Sequence, residues 1–146
     1  MPTLSDSDML TIERLGIRYA AAIDGRDFEA LGRLFAEDGI WAGPKGERKG
    51  RAEIGSYAKG SVGHLDATQH NATNMLVSVE GDRVIMTSNF IAAHILGDGN
   101  YTIGGRYRDE IERIDGAWLF RRRDIIPLWT TGDAGVMANG PVPIQR

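Results

Sequence analysis

The sequence predicts an α+β fold in which N-terminal helices pack on a strongly bent, mixed or antiparallel β-sheet and enclose a pocket. Three observations support this fold class. Helical periodicity is confined to the first part of the chain, and after about residue 67 the apolar residues recur at every second position. Three glycine-containing turns then divide the second part into four long runs. Helices followed by a series of strands are typical of α+β domains.

The first element is an amphipathic helix that begins after Ser5 and ends near Gly25. Ser5 and Asp8 have the spacing of a capping box, and glycine is a natural helix stop. Apolar side chains recur at steps of three and four, at Met9, Ile12, Leu15, Tyr19, Ala22 and Ile23.

The region between this helix and the long strands is expected to hold two shorter helices and a short strand. Asp27 can cap a second helix, which Gly39 is expected to close. A short strand is expected to open at Ile40–Trp41, followed by a polar turn region at 43–50. Residues 51–59 are predicted to form a third helix.

The turn sequences at 80–82, 97–100 and 115–116 separate four predicted strands of an antiparallel meander. From Thr130 the chain is rich in glycine and proline, so 130–146 is expected to be an irregular arm that wraps a neighbour or lids an opening. Residues 1–146 are expected to form a single domain, because a chain of this size can bury one adequate hydrophobic core.

Composition argues against several classes of function. With 17 basic and 20 acidic side chains the net charge is −3, so neither nucleic acid nor a membrane surface is an expected partner. The absence of cysteine excludes disulfides, zinc-thiolate sites and thiol nucleophiles. The N-terminus is acidic and polar, unlike a signal peptide, and no apolar run reaches the roughly 20 residues of a membrane span, so a cytoplasmic location is expected.

No cofactor and no metal are expected. The chain has neither a phosphate-binding glycine loop nor a dinucleotide fingerprint. His64 and Asp66 lie near His70, but a third convincing metal ligand is missing.

Polar residues interrupt the apolar strands more often than a dry core should tolerate. Because bulges can reverse strand parity, about half of them are expected to point outward. The surplus still favours a polar-lined cavity. These interruptions are His70, Asn74, Ser88, His94 and Arg106.

Several sequence segments resemble the SnoaL-like branch of the NTF2-like superfamily, a cone-shaped fold. The resemblance covers residues 8 to about 130 and rests on the segments 17–24, 34–39, 70–74, 105–110 and 115–118. The branch includes scytalone dehydratase, bile-acid 7α-dehydratases and hexachlorocyclohexane dehydrochlorinase, but also non-catalytic β subunits of dioxygenases. The resemblance therefore implies the fold without deciding the activity.

The resemblance implies an Asp24–His70 catalytic dyad, with Tyr19 as a third catalytic residue. Tyr19 matches a tyrosine of the bile-acid enzymes, which favours elimination of water over loss of chloride. His94 and Arg123 match substrate-binding positions more loosely.

The chemistry explains these residue types. A base near neutral pKa is needed to remove a proton next to a carbonyl, and His70 fits that role. Asp24 would fix its tautomer. The developing oxyanion and the leaving hydroxyl need donors, for which Tyr19, His94 and Arg123 are candidates.

Each residue also has a structural interpretation. Asp24 precedes Gly25 and can be a turn residue at the helix end. Tyr19 lies on the apolar stripe and can be core packing. A strand histidine is more often a hydrogen-bonded core residue than a catalyst. In the Arg121–Arg123 run, alternation sends at least one arginine inward.

The sequence therefore predicts a cofactor-independent lyase that acts on a small hydrophobic, ring-containing hydroxy-carbonyl or phenol. The alternatives are a double-bond isomerase that uses the same proton abstraction, and a non-catalytic ligand-binding or scaffold subunit. The expected substrate-binding residues are His94, Arg123, Asn74 and Arg106, with Trp41, Tyr57, Phe90 and Met86 as apolar walls. A homodimer or homotrimer is expected through an outer sheet face that carries Trp118 or Leu119, Ile111 and Ile125.

Overall fold

Three α-helices pack against a six-stranded mixed β-sheet in the computed structural model, which describes residues 2–145. This architecture confirms the predicted α+β class. The helices are α1 (Asp6–Asp24), α2 (Phe28–Arg33) and α3 (Arg51–Val62). The strands are β1 (Phe35–Gly43), β2 (Gly46–Lys49), β3 (Ala67–Glu80), β4 (Arg83–Leu96), β5 (Gly99–Ile114) and β6 (Ala117–Gly132).

The strands follow the order β2-β1-β6-β5-β4-β3. Strands β3 to β6 pair antiparallel in sequence order, which confirms the predicted meander. β1 lies parallel to β6, so the sheet is mixed. Register shifts interrupt β3 at 73–76 and the β5–β6 pairing at 104–105 and 110–111. Register shifts of this kind mark β-bulges, which bend a sheet locally.

Helix α1 begins and ends where the sequence predicts. The Ser5 hydroxyl accepts a hydrogen bond from the Asp8 amide at 3.0 Å, and the Asp8 carboxylate accepts one from the Ser5 amide at 3.0 Å. This reciprocal pair satisfies two amide groups that the helix itself leaves free. The apolar stripe of α1 is buried in the core through Ile12, Leu15, Tyr19 and Ile23.

The predicted end of the second helix at Gly39 is wrong, because α2 stops at Arg33 and β1 begins at Phe35. Phe35 is fully buried, and its ring centroid lies 5.1 Å from that of Phe120 on β6. The Phe120 amide also donates a hydrogen bond to the Leu34 carbonyl at 2.9 Å. Contacts with a distant strand therefore override the local helical periodicity. The polar turn region at 43–50 contains β2, which forms a hairpin with β1.

The C-terminal arm begins later than predicted, since β6 continues to Gly132. Beyond it, a short 3₁₀ turn at Ala134–Val136 is the single regular element that the structure describes up to residue 145. The arm folds back onto its own chain. The Val142 amide donates to the Tyr101 hydroxyl at 3.1 Å, and the Gln145 amide donates to the Pro127 carbonyl at 2.8 Å.

The expected apolar outer face is wrong in two of its residues. Ile111 lies in the core, and Ile125 lines the interior cavity described below. They share strand faces with Asp109 and Arg123, which are both buried. The predicted homodimer or homotrimer remains a prediction. In residues 2–145, no helix combines the length and apolar character that a membrane-spanning segment requires.

A fully buried ion pair joins β5 to β6. The Arg123 Nε and Nη2 atoms donate to the two Asp109 carboxylate oxygens at 2.8 and 3.1 Å. The Arg123 guanidinium carbon lies 3.7 Å from the centroid of the Tyr107 ring, 4.3 Å from that of Tyr19 and 4.5 Å from that of Phe120. Burial by itself would lower the pKa of Arg123, but Asp109 raises it above the ordinary value. The guanidinium therefore stays charged beneath three aromatic rings.

Replacing Arg123 with methionine should strongly destabilise the protein, because it leaves the Asp109 carboxylate buried without its partner. We expect a loss of about 3–5 kcal/mol in unfolding free energy. The double variant Arg123→Met with Asp109→Leu should recover much of that loss, since no charge is then left unpaired. Urea unfolding followed by circular dichroism measures both. A single variant within about 1 kcal/mol of the wild type would contradict the stabilising role of the pair.

Candidate active site

A cavity of about 130 Å³ lies between the helices, the sheet and the C-terminal arm. A single buried water needs roughly 10–15 Å³, so the cavity can hold a small ring compound. Its wall is mostly apolar and aromatic, with a few polar groups, as is typical of small-molecule sites. The polar side chains that line it are Tyr19, Lys45, Tyr57, Ser61, His70, His94, Tyr107 and Asn139.

Asp24 and His70 are hydrogen-bonded to each other at one side of this cavity. Asp24 is the last residue of α1, and His70 lies near the start of β3. The Asp24 Oδ1 atom lies 2.7 Å from His70 Nδ1, and Oδ2 accepts the His70 backbone amide at 2.8 Å. The Thr68 hydroxyl donates to Oδ1 at 2.9 Å. Three donors therefore fix the carboxylate at the helix end.

The hydrogen-bond partner assigns the His70 tautomer. The Asp24 carboxylate can only accept, so His70 Nδ1 carries a proton, and in the neutral ring Nε2 is left with the lone pair. His70 lines the cavity, whereas Asp24 lies behind it. Partial burial opposes ionisation, but hydrogen bonds from His70 and Thr68 hold the pKa of Asp24 below its ordinary value. The pair therefore has the geometry of a general base with an ionised orienting group.

His94 lies beside His70 but has a different partner. Its ring centroid is 5.8 Å from that of His70, with the two rings nearly perpendicular at 82°. His94 Nδ1 lies 2.9 Å from the Tyr101 carbonyl oxygen, which can only accept, so Nδ1 donates and Nε2 holds a lone pair. Burial lowers the pKa of His94, and the nearby His70 adds to this effect. A neutral His94 has an acceptor at Nε2, and its expected role as a donor remains a prediction.

Tyr19 reaches the cavity from α1 and bonds to Trp41 on β1. The Trp41 indole Nε1–H donates to the Tyr19 hydroxyl at 2.9 Å. Burial raises the pKa of Tyr19, although the charge of Arg123 and the Trp41 bond act in the opposite direction. The phenol therefore keeps its proton and can act as a hydrogen-bond donor.

The expected substrate-binding residues divide into two groups. Tyr57, Phe90 and Trp41 line the cavity, as does His94.

The structure places four other expected residues away from the cavity wall. Arg123 is sealed under the rings of Tyr19 and Tyr107, and Met86 is fully buried in the core. Asn74 is exposed at the bulge of β3, with a positive φ of 58°. Arg106 is exposed because it alternates with the inward-facing Tyr107. None of these four residues lines the cavity.

Tyr107 is a cavity component that the sequence interpretation missed, whereas the C-terminal arm, expected to wrap a neighbour or lid an opening, lines part of the cavity. The Tyr107 ring stacks on Phe90, with ring centroids 4.5 Å apart. Strand alternation could have indicated it, since Tyr107 lies on the same face of β5 as Tyr101 and Ile103. The arm contributes Met137, Ala138, Asn139, Gly140 and Val142. No local pattern predicts which surface an irregular arm covers.

The residues weighed as metal ligands have other partners. His64 Nε2 lies 2.8 Å from the Val136 carbonyl oxygen, and Asp66 accepts the Gly97 amide at 2.7 Å. Among residues 2–145, no group of three or more histidine or carboxylate side chains is arranged to hold a metal ion.

The sequence matches the family model of the SnoaL-like domain over residues 6–124. A candidate scytalone dehydratase from Novosphingobium aromaticivorans is 27% identical, with a TM-score of 0.77 over 86% of this chain and 87% of that chain. A candidate aromatic ring hydroxylase from the same organism is also 27% identical, with a TM-score of 0.81 over 92% and 99%. A type 3 hexachlorocyclohexane dehydrochlorinase from Novosphingobium barchaimii is 22% identical and shares the fold, with a TM-score of 0.77 over 88% and 92%. A search of curated proteins finds no match.

The lowered pKa of His94 predicts that the protein loses stability on acidification. The His94 side chain of the unfolded protein takes up a proton near pH 6.5, the ordinary pKa of histidine, whereas that of the folded protein does so at lower pH. The unfolding free energy should therefore fall as pH drops through 6.5 towards the folded pKa, by at most about 1.4 kcal/mol per pH unit for this group. His94→Asn keeps a donor for the Tyr101 carbonyl but cannot titrate. The unfolding free energy of this variant should therefore depend less steeply on pH than that of the wild type.

Urea unfolding at a series of pH values measures this difference. His64→Asn, at an exposed position outside the cavity, is the matched control and should keep the wild-type contribution from His94. Equal pH slopes for the wild type and His94→Asn would show that His94 is not held neutral by the fold.

Proposed function

The chain belongs to the SnoaL-like domain family, and we propose that it is a cofactor-independent lyase of the dehydratase type. The proposed substrate is a small, apolar, ring-containing hydroxy-carbonyl or phenolic compound. The observation that carries this proposal is the 2.7 Å hydrogen bond between Asp24 and His70, with His70 on the wall of a largely apolar cavity.

In the proposed reaction, His70 is the general base. Its Nε2 lone pair removes a proton from the carbon next to the substrate carbonyl, and the electron pair of the broken C–H bond forms an enolate. Asp24 keeps the proton of His70 on Nδ1 and stabilises the positive charge that develops on the ring. The carboxylate can do so because its lowered pKa keeps it ionised at neutral pH.

The negative charge on the enolate oxygen needs a donor in a site of low polarity. Tyr19 is the proposed donor, because it lines the cavity and keeps its proton. Collapse of the enolate then forms the C=C bond and expels the β-hydroxyl, which takes the proton from His70 Nε2 and leaves as water. The neutral His94 is proposed to accept a hydrogen bond from that hydroxyl before it leaves.

The substrate class follows from the cavity wall. Phe90, Trp41 and Tyr57 present aromatic surface, and Ile23, Ile54, Ile103 and Ile125 present aliphatic surface. A compact apolar ring matches this wall and volume, and the carbonyl and hydroxyl groups match the polar cluster around His70. The likeness to a candidate scytalone dehydratase supports loss of water as the reaction.

A double-bond isomerase is the second candidate function. It uses the same proton abstraction, and it is compatible with the same Asp24–His70 pair on the cavity wall. In an isomerase, His70 would return the proton to a different carbon of the same substrate, and no group would leave. Release of water during turnover separates the two reactions.

Replacing His70 with alanine should remove the general-base contribution, typically ~10² to 10⁴ in rate, while ligand affinity changes little. Asp24→Asn should also lower kcat, because an amide does not fix the productive tautomer. The double variant should lose little more than His70→Ala alone, since the two residues act as a unit. The assay follows ultraviolet absorbance as conjugation appears in a panel of ring-containing hydroxy-carbonyl compounds.

His64→Ala is the matched control for the histidine substitution and should retain wild-type turnover, because His64 does not line the cavity. A folded His70→Ala protein with full activity would refute the elimination mechanism and leave a ligand-binding or scaffold role as the better account.

Turnover should persist after dialysis against a strong chelator, because the proposed chemistry uses protein side chains alone. Activity is measured before dialysis, after dialysis and after divalent ions are added back. Loss of turnover that a divalent ion restores would mean that the carboxylates, Asp24 above all, have been assigned the wrong role.

A further inference from the structure

The hydrogen bond between Trp41 and Tyr19 determines the direction of the phenol proton. An indole N–H can only donate, so in the 2.9 Å contact the Tyr19 oxygen must be the acceptor. The hydrogen of the Tyr19 hydroxyl then has to point elsewhere. Within residues 2–145, no hydrogen bond has Tyr19 as its donor, and Tyr19 lines the cavity.

We propose that Trp41 is a positioning residue: by donating to the Tyr19 oxygen, it directs the Tyr19 O–H into the cavity, towards the ligand oxygen that carries negative charge. The identity of that oxygen rests on the proposed function. The donor arrangement itself does not depend on His70, so the two proposals can fail separately.

The surroundings of Tyr19 hold its ring in place from other directions. The Arg123 guanidinium carbon lies 4.3 Å from the Tyr19 ring centroid, and the rings of Tyr107 and Phe120 approach edge-on at 5.9 and 6.2 Å. Rotation of the hydroxyl about its C–O bond is therefore the main freedom left to the phenol. The Trp41 bond restricts that rotation.

Trp41 is itself fixed by the sheet and by a neighbouring ring. It pairs in register with Arg123 across the parallel β1–β6 contact, so their side chains lie on the same face of the sheet. Its ring centroid lies 5.0 Å from that of Tyr57 on α3. One register position thus places an indole at the Tyr19 oxygen and a guanidinium beneath the Tyr19 ring.

The bond should also strengthen Tyr19 as a donor. An N–H group that donates to a hydroxyl oxygen draws electron density from it, and chains of hydrogen bonds reinforce one another in a site of low polarity. Consistent with this, the Trp41 bond counteracts part of the rise that burial causes in the pKa of Tyr19.

The test uses 4-nitrophenol, a single-ring phenol whose ionised form is coloured and carries the negative oxygen that Tyr19 is proposed to contact. The apparent pKa of the bound probe is measured by visible absorbance in four proteins: wild type, Trp41→Phe, Tyr19→Phe and the double variant. Tyr19→Phe should raise the probe pKa by about one unit, a tenfold loss of phenolate stabilisation, which is the size expected for the net contribution of one hydrogen bond. Trp41→Phe should raise it by about half a unit, and the double variant by no more than Tyr19→Phe alone.

Trp118→Phe is the matched control, because the Trp118 indole N–H donates to Asp8 outside the cavity, and it should leave the probe pKa unchanged. Urea unfolding of each variant checks that the fold is retained. His70→Ala should still show the Tyr19-dependent shift, so a failure of the base assignment is distinguishable from a failure of this proposal.

Three results would overturn the proposal. The first is a change in the probe pKa on Trp41→Phe substitution that is equally large in the wild type and in the Tyr19→Phe variant, since Trp41 would then act independently of Tyr19. The second is a probe pKa that changes on Tyr19→Phe substitution but does not change on Trp41→Phe substitution. The third is a wild-type protein that does not bind 4-nitrophenol or leaves its pKa unchanged.

Discussion

The buried pair between Asp109 and Arg123 constrains the geometry of the whole site. Burying two charges carries a desolvation penalty of several kcal/mol per ion, so the pair must keep close geometry to offset it. Asp109 and Arg123 are directly paired across β5 and β6, which fixes the register of those strands. The guanidinium also contacts the ring of Tyr19 and so ties helix α1 to the sheet. Asp24, the last residue of that helix, is placed by the same attachment.

The two cavity histidines differ because of the atoms that hold them. Both donate from Nδ1, but His70 donates to a carboxylate and His94 to a neutral carbonyl. A carboxylate stabilises a protonated ring, whereas a carbonyl in a buried position does so much less. One ring is therefore suited to gaining a proton during a reaction, and the other to staying neutral. Two identical side chains acquire different roles from a single difference in partner.

The sequence predicts the elements that depend on local signals. The capping box at Ser5 and the alternation of β3 to β6 are local patterns, and both are present in the structure. The Asp24–His70 contact followed from family resemblance, because 46 residues separate the two in sequence. The errors share another cause. Phe35 lies in a strand where it packs against Phe120 of β6, and Ile111 and Ile125 face inward on strands whose orientation depends on their pairing partners. Long-range pairing of this kind leaves no trace in a short window of sequence.

Part of the cavity wall comes from a different segment of the chain than the proposed catalytic residues. Asp24, His70 and Tyr19 lie within the stretch shared with the family, residues 6–124, whereas the arm that closes the cavity lies beyond it. Much of the arm is irregular and is held by a few hydrogen bonds, such as those from Val142 and Gln145. Substitutions or length changes in the arm would therefore alter the cavity wall without moving His70 or Asp24. Such a division would let selection change which molecules are admitted while the proposed proton-transfer residues are inherited intact, so that the proposed catalysis and the ligand preference could evolve at separate rates.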